Sequence, residues 1–104
     1  MEDLIKVQAE MMKTFAHPAR LMILKSICEE EQSVSNILAL TKLSKANLSQ
    51  HMKLLVSSGL VLSRKEGIQV YYRIANCKIK EACELMKEIA VEALASKTKI
   101  LDNL

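Results

Sequence analysis

The stretch Ser44-Lys45-Ala46-Asn47-Leu48-Ser49-Gln50-His51-Met52-Lys53-Leu54-Leu55 decides how the rest of the chain reads. Leu48, Met52 and Leu55 recur at the i, i+4, i+7 spacing of a half-buried helix. Ser44 stands where an N-cap belongs, and Gly59 where a left-handed residue would end the helix. The remaining positions carry Lys45, Ala46, Asn47, Ser49, Gln50 and Lys53. Asn and Gln pair with adenine edges, Ser donates or accepts, and Lys suits phosphate, so this surface has the chemistry for reading a DNA major groove.

Just upstream, Ser33 reads as the cap of a short helix whose buried face is Val34, Ile37 and Leu38. Thr41-Lys42-Leu43 is a tight connection between the two helices, with Lys42 placed for a phosphate contact. Two short helices joined this closely, the second basic and free of acids, predict a helix-turn-helix.

Downstream the periodicity changes. Leu60-Val61-Leu62-Ser63-Arg64 and Ile68-Gln69-Val70-Tyr71-Tyr72-Arg73-Ile74 are β-branched or aromatic runs separated by Lys65-Glu66-Gly67. They predict a short hairpin with a charged tip, a wing whose Arg64 and Lys65 would reach the DNA backbone or minor groove.

Further out lie three more helices. His17-Pro18 starts one that carries Leu21, Ile23, Leu24 and Ile27, proline being well placed in a first turn. Before it, Leu4, Val7, Met11, Met12 and Phe15 predict an amphipathic helix over 3–15. After the hairpin, Asn76 or Cys77 opens a last helix with a wide apolar stripe: Ile79, Ala82, Cys83, Met86, Ile89, Ala90, Ala93 and Leu94. Residues 96–104 continue it or fray. The expected fold is mainly α with a small β-hairpin, four helices, then the wing, then a fifth helix, in one domain over 1–104. A stripe wider than a small monomer can cover marks an interface, so association through it is expected.

Composition agrees. With 104 residues there is room for one domain, and two Gly, one Pro and three aromatic residues disfavour a many-turned all-β fold. No apolar run reaches the roughly 20 residues that span a bilayer, and the acidic start Met1-Glu2-Asp3 does not fit a secretory signal, so a cytoplasmic location is expected. Net charge is only +3, but its placement is uneven. From Gln32 to Lys65 there is no acid, while Lys42, Lys45, Lys53, Arg64 and Lys65 fall inside; six of the 12 acids precede this stretch and six follow it. A basic centre between mixed flanks is the footprint of a nucleic-acid surface.

Several of these segments together carry a family resemblance. His17-Pro18-Ala19-Arg20-Leu21-Met22-Ile23-Leu24, then Leu43 to Leu55, then Ser58-Gly59-Leu60-Val61 leading through Arg64-Lys65-Glu66-Gly67 to Tyr71-Tyr72-Arg73-Ile74, resemble the ArsR/SmtB family of bacterial repressors. The resemblance implies a winged-helix homodimer on double-stranded operator DNA, paired through its first and last helices and released by an inducer.

The sensing residues depart from the family's metal sites. Where some relatives place Cys-x-Cys in the third helix, this chain has Ser33-Val34-Ser35, whose hydroxyls are poor ligands for soft metals. Where others place Asp and His on the last helix, it has Asn76-Cys77-Lys78-Ile79-Lys80. No metal site and no cofactor is expected.

Three thiols remain, Cys28, Cys77 and Cys83. Relatives that sense persulfides or oxidants pair a second-helix cysteine with one on the last helix, and Cys28 with Cys83 resembles that arrangement. The family's second-helix position matches Lys25, one turn before Cys28. Pairing requires a Cα separation below about 7 Å. Cys77, at a helix start beside Lys78, offers a second route to a thiol switch, and three unreactive cysteines filling space are the alternative.

A DNA-binding repressor leads. A metal- or small-molecule-responsive repressor of the same fold, or a winged-helix protein-interaction module, is the alternative. An enzyme is not expected, for there is no buried-looking carboxylate pair, no glycine-rich phosphate loop, and the two His are ill placed for catalysis.

Overall fold

The computed structural model describes residues 1–104 as α1 (Glu2–Phe15), α2 (Pro18–Ile27), β1 (Gln32–Ser33), α3 (Val34–Thr41), α4 (Lys45–Ser57), β2 (Val61–Glu66), β3 (Gln69–Ile74) and α5 (Cys77–Asp102). Each helix after α1 begins on a side-chain cap. The Ala19 N–H donates to His17 Nδ1 at 3.1 Å, Asn36 N–H to Ser33 Oγ at 3.2 Å, Asn47 N–H to Ser44 Oγ at 3.1 Å and Lys78 N–H to Asn76 Oδ1 at 3.0 Å. These bonds satisfy N–H groups that have no partner inside the helix. Helix α5 runs without a break to Asp102, so residues 96–102 continue it.

The core is one cluster of ten residues: Ile23, Leu24 and Ile27 of α2, Ile37 of α3, Leu48, Met52 and Leu55 of α4, Leu60 and Val61 at the start of the wing, and Ile79 of α5. It therefore sits where α2, α3 and α4 meet the base of the hairpin. Phe15, Val34 and Leu38 pack against it half-buried, whereas Leu21 points to solvent. Thr41 is the one buried polar residue; its hydroxyl donates to the Ile37 carbonyl at 2.7 Å and accepts from Leu43 N–H at 3.4 Å. Both capacities of the hydroxyl are used to join the end of α3 to the connection into α4. Lys42 completes that connection in the left-handed conformation, φ 60°.

The wing differs from the sequence expectation at its tip. Lys65 and Glu66 are not turn residues: they pair with Val70 and Gln69, and the loop is Gly67-Ile68 alone. Gly67 has φ 62°, as the first position of a tight two-residue hairpin loop demands, and Ile68 stands out 94% exposed. The sequence also hides a third strand. Gln32 and Ser33 pair with Tyr72 and Tyr71, giving an antiparallel sheet in the order β1-β3-β2. Two residues are too few to show an alternating pattern.

The ends of the chain are open. No residue of α1 is buried, and of α5 only Ile79 is. From the expected apolar stripe of the last helix, Met86, Ile89 and Leu94 are more than half exposed, and Cys83 alone joins Ile79 in touching the core. The radius of gyration is 16.1 Å, against about 13 Å for a compact chain of this length. No helix is long and apolar enough to cross a membrane.

Candidate nucleic-acid interface

Helix α4 lies with Leu48, Met52 and Leu55 in the core, which turns the rest of its circumference outward. Lys45, Ala46, Asn47, Ser49, Gln50 and Lys53 are all exposed, as is Lys42 just before the helix. At 100° per residue, Ala46 and Gln50 form the crest opposite the core. Ser49 and Lys53 flank it on the side of the wing, where they line a cleft with Ser63 and Tyr72. On the other flank His51 meets α2, and Leu54 lines a groove against Lys6, Val7 and Met11 of α1.

A cluster that sequence reading did not foresee fixes that second flank. Arg20 Nε donates to His51 Nδ1 at 3.2 Å, and Arg20 Nη1 donates to the Thr14 carbonyl at 3.4 Å. The ring of His17, which caps α2, lies 4.5 Å from that of His51. Burial pushes the His51 imidazole below the ordinary histidine pKa, and the charges of His17 and Arg20 push in the same direction. Accepting from Arg20 at Nδ1 leaves the His51 proton on Nε2. The start of α2 and the end of α1 thus share one polar contact with the recognition helix.

The wing separates its charges by strand alternation. Val61, Ser63 and Lys65 face the α4 side, and Leu62, Arg64 and Glu66 the other. Arg64, expected on DNA, has its guanidinium paired with carboxylates in the free chain. It bonds Glu31 at 2.6 Å and 3.1 Å and Glu66 at 2.7 Å, and lies 4.6 Å over the Tyr71 ring. These partners raise the Arg64 pKa further and hold the Glu31 carboxyl below the usual carboxylate range. Lys65, on the α4 side, has no such partner. Alternation counted from the buried Val61 would have separated the two from sequence.

The thiols are apart from this surface. Cys77 is exposed at the first position of α5. Cys28 is half-buried at the end of α2, its Sγ donating to the Lys25 carbonyl at 3.2 Å. Cys83 is half-buried against the core; burial, then the neighbouring Cys28 and Glu84, raises its pKa. Between the two elements Lys80 Nζ contacts Glu29 at 2.6 Å and Glu84 at 3.9 Å. The structure therefore brings Cys28 and Cys83 into one neighbourhood. Cys77, six residues before Cys83, lies about 9 Å back along the helix and on another face.

A helix-turn-helix with an exposed, acid-free second helix and a flanking wing defines a winged-helix DNA-binding transcriptional regulator. Comparison with known proteins agrees. Residues 17–63 match the family described as bacterial regulatory protein, arsR family. The HTH-type transcriptional regulator Rv0081 of Mycobacterium tuberculosis is 35% identical over 99% of this chain and 91% of its own length. Its crystal structure superposes with a TM-score of 0.84 and 34% identity, over 91% of this chain and 96% of that one. The homodimeric winged helix-turn-helix DNA-binding domain of Mb0332 from Mycobacterium bovis gives 0.80 and 32%, over 89% and 86%. The transcriptional repressor BigR of Xylella fastidiosa gives 0.77 and 30%, over 86% and 91%. The chain belongs to the ArsR family.

Proposed function

We propose that the chain is a homodimeric repressor whose α1 and α5 form the dimer interface and whose hold on operator DNA is released by a change at Cys28 and Cys83. The observation that carries the dimer is the open apolar surface. Leu4, Val7 and Met12 of α1, with Met86, Ile89 and Leu94 of α5, are each more than half exposed in the single chain. Patches of this extent rarely face water in a stable monomer. The homodimeric Mb0332 domain, of the same fold, supports the reading. A two-fold axis through these helices would present two copies of α4 to half-sites about one helical turn, or roughly 34 Å, apart.

On each half-site Asn47, Ser49 and Gln50 read bases, with Ala46 close to the groove floor. Lys42, Lys45, Lys53 and Lys65 meet phosphates. Arg64 is left out of this set because two carboxylates already occupy its guanidinium. Release follows from the thiols. An oxidant such as diamide takes two electrons and two protons from Cys28 and Cys83, and a sulfur–sulfur bond forms between α2 and α5. Burial, then the neighbouring Cys28 and Glu84, raises the Cys83 pKa and so disfavours its thiolate. Joining the two helices would change the angle between the dimer's reading heads.

Fluorescence anisotropy tests this on DNA from upstream of the protein's own gene, comparing reduced with diamide-treated protein. Tight, salt-sensitive binding that is lost on treatment and regained with reductant is expected, and Cys28→Ser or Cys83→Ser should abolish the response. Binding that treatment leaves unchanged removes the thiol switch and keeps the regulator. Absence of binding in both states sinks the operator assignment.

A further inference from the structure

Between α4 and the wing lies an open cleft lined by Met52 and Val56 together with Ser49, Lys53, Ser57, Ser63 and Tyr72. Its polar groups are four hydroxyls and one ammonium, with no carboxylate. The Ser57 hydroxyl is spent on the Leu54 carbonyl at 3.1 Å. Those of Ser49, Ser63 and Tyr72 bond nothing in the protein, nor does the Lys53 ammonium.

The placement of the two wing hydroxyls follows from the fold. Ser63 and Tyr72 are directly paired across β2 and β3, and both share the α4-facing side with the buried Val61. The Tyr72 ring packs against the core and lines the cleft. One residue pair on the wing therefore lines the cleft opposite the flank of α4 that carries Ser49 and Lys53. A rim of neutral donors with a single positive charge suits an anion of charge one, which a backbone phosphodiester is.

We propose that this cleft seats one backbone phosphodiester of the bound DNA, with Lys53 as its counter-charge and the hydroxyls of Ser63 and Tyr72 donating from the wing. The proposal rests on the DNA-binding reading above and adds to it two contacts, Ser63 and Tyr72, that hold the strand between recognition helix and wing. Since a phosphate carries no sequence, these contacts set register and not base preference.

The test uses the full chain and the Tyr72→Phe and Ser63→Ala variants, each of which removes a hydroxyl and leaves the packing in place. Affinity is measured on operator duplex, on an unrelated duplex of equal length, and on operator duplexes carrying a single methylphosphonate at successive positions. Each variant is expected to lose roughly tenfold on both natural duplexes, the scale of one hydrogen bond to a charged group. At one position the methylphosphonate should weaken the unmodified protein by more than either variant loses, since it also removes the charge that Lys53 meets, and it should weaken Tyr72→Phe by less than it weakens the unmodified protein. Full additivity at every position, or unchanged affinity in both variants, overturns the cleft and leaves the DNA-binding reading standing. Competition by inorganic phosphate at millimolar concentration without any methylphosphonate effect would make it a site for the free ion and also overturn the proposal. If the unmodified protein binds no duplex at all, both fall.

Discussion

Arg64 and Glu31, thirty-three residues apart, are joined by a two-bond contact at 2.6 Å and 3.1 Å that ties the middle of the wing to the segment following α2. Removing either partner tests what the arginine is for. If Arg64 positions the wing, Arg64→Ala and Glu31→Gln both weaken operator binding, and the double variant is no worse than the weaker single one. If instead Arg64 touches DNA, Glu31→Gln frees it and raises affinity. The sign of the Glu31→Gln effect in an anisotropy titration decides between them, and a decrease is expected.

Burial of His51, with the charges of His17 and Arg20 beside it, makes stability depend on pH. The folded state lowers the His51 pKa, so in the region just below about pH 6.5 the unfolded chain binds a proton that the folded chain refuses. This contribution is full above that pH and is lost as pH falls through the lowered folded pKa. The melting temperature should therefore drop between pH 7.5 and pH 5, and His51→Gln should flatten the drop. An equal slope in the variant would assign the effect to other groups.

Lys42 holds a left-handed backbone, φ 60°, that a lysine adopts at a cost of about 1 kcal/mol and glycine adopts freely. Lys42→Gly should thus raise stability slightly, by less than about 1 kcal/mol because glycine also loosens the unfolded chain. Its operator affinity should fall, with a salt dependence shallower by about one counterion. Stability and affinity moving together would remove Lys42 from the phosphate contacts.

Charge placed on the open helices should separate a pair of chains. Leu4→Lys on α1 and Ile89→Lys on α5 alter side chains that are 66% and 56% exposed in the single chain, so neither disturbs the core. Sedimentation should show the mass of one chain for the variants and of two for the parent, and operator affinity should fall by orders of magnitude as one half-site contact is lost. Variants that stay paired would move the interface elsewhere.

Most of the helical frame was legible because its signals are local. Ser33 and Ser44 cap the helices that follow them as their positions predict, Asn76 and not Cys77 is the cap that opens α5, and Leu48, Met52 and Leu55 are buried at the predicted spacing. The basic residues of α4 are exposed as their pattern requires. What escaped depends on distance along the chain. Strand β1 is two residues stitched to a partner forty positions away, and no periodicity can announce it. The wing tip was placed two residues early because Lys65 and Glu66 look like turn residues, while the pairing that makes them strand comes from β3. The Arg20–His51 and Arg64–Glu31 contacts join segments separated by 31 and 33 residues. Arg64 was read as a charge without its partner, and only the fold supplies the partner.

Twelve buried residues out of 104 are a small private core for any chain. In the proposed pair, where α1 and α5 complete their apolar faces on a second copy, part of the folding free energy would be held in common and would scale with the logarithm of concentration. Abundance would then act twice, setting how many pairs can occupy DNA and how long an unpaired chain survives proteolysis. A regulator of its own gene built this way would discard surplus halves and keep matched ones, so dosage would be corrected by breakdown as well as by synthesis.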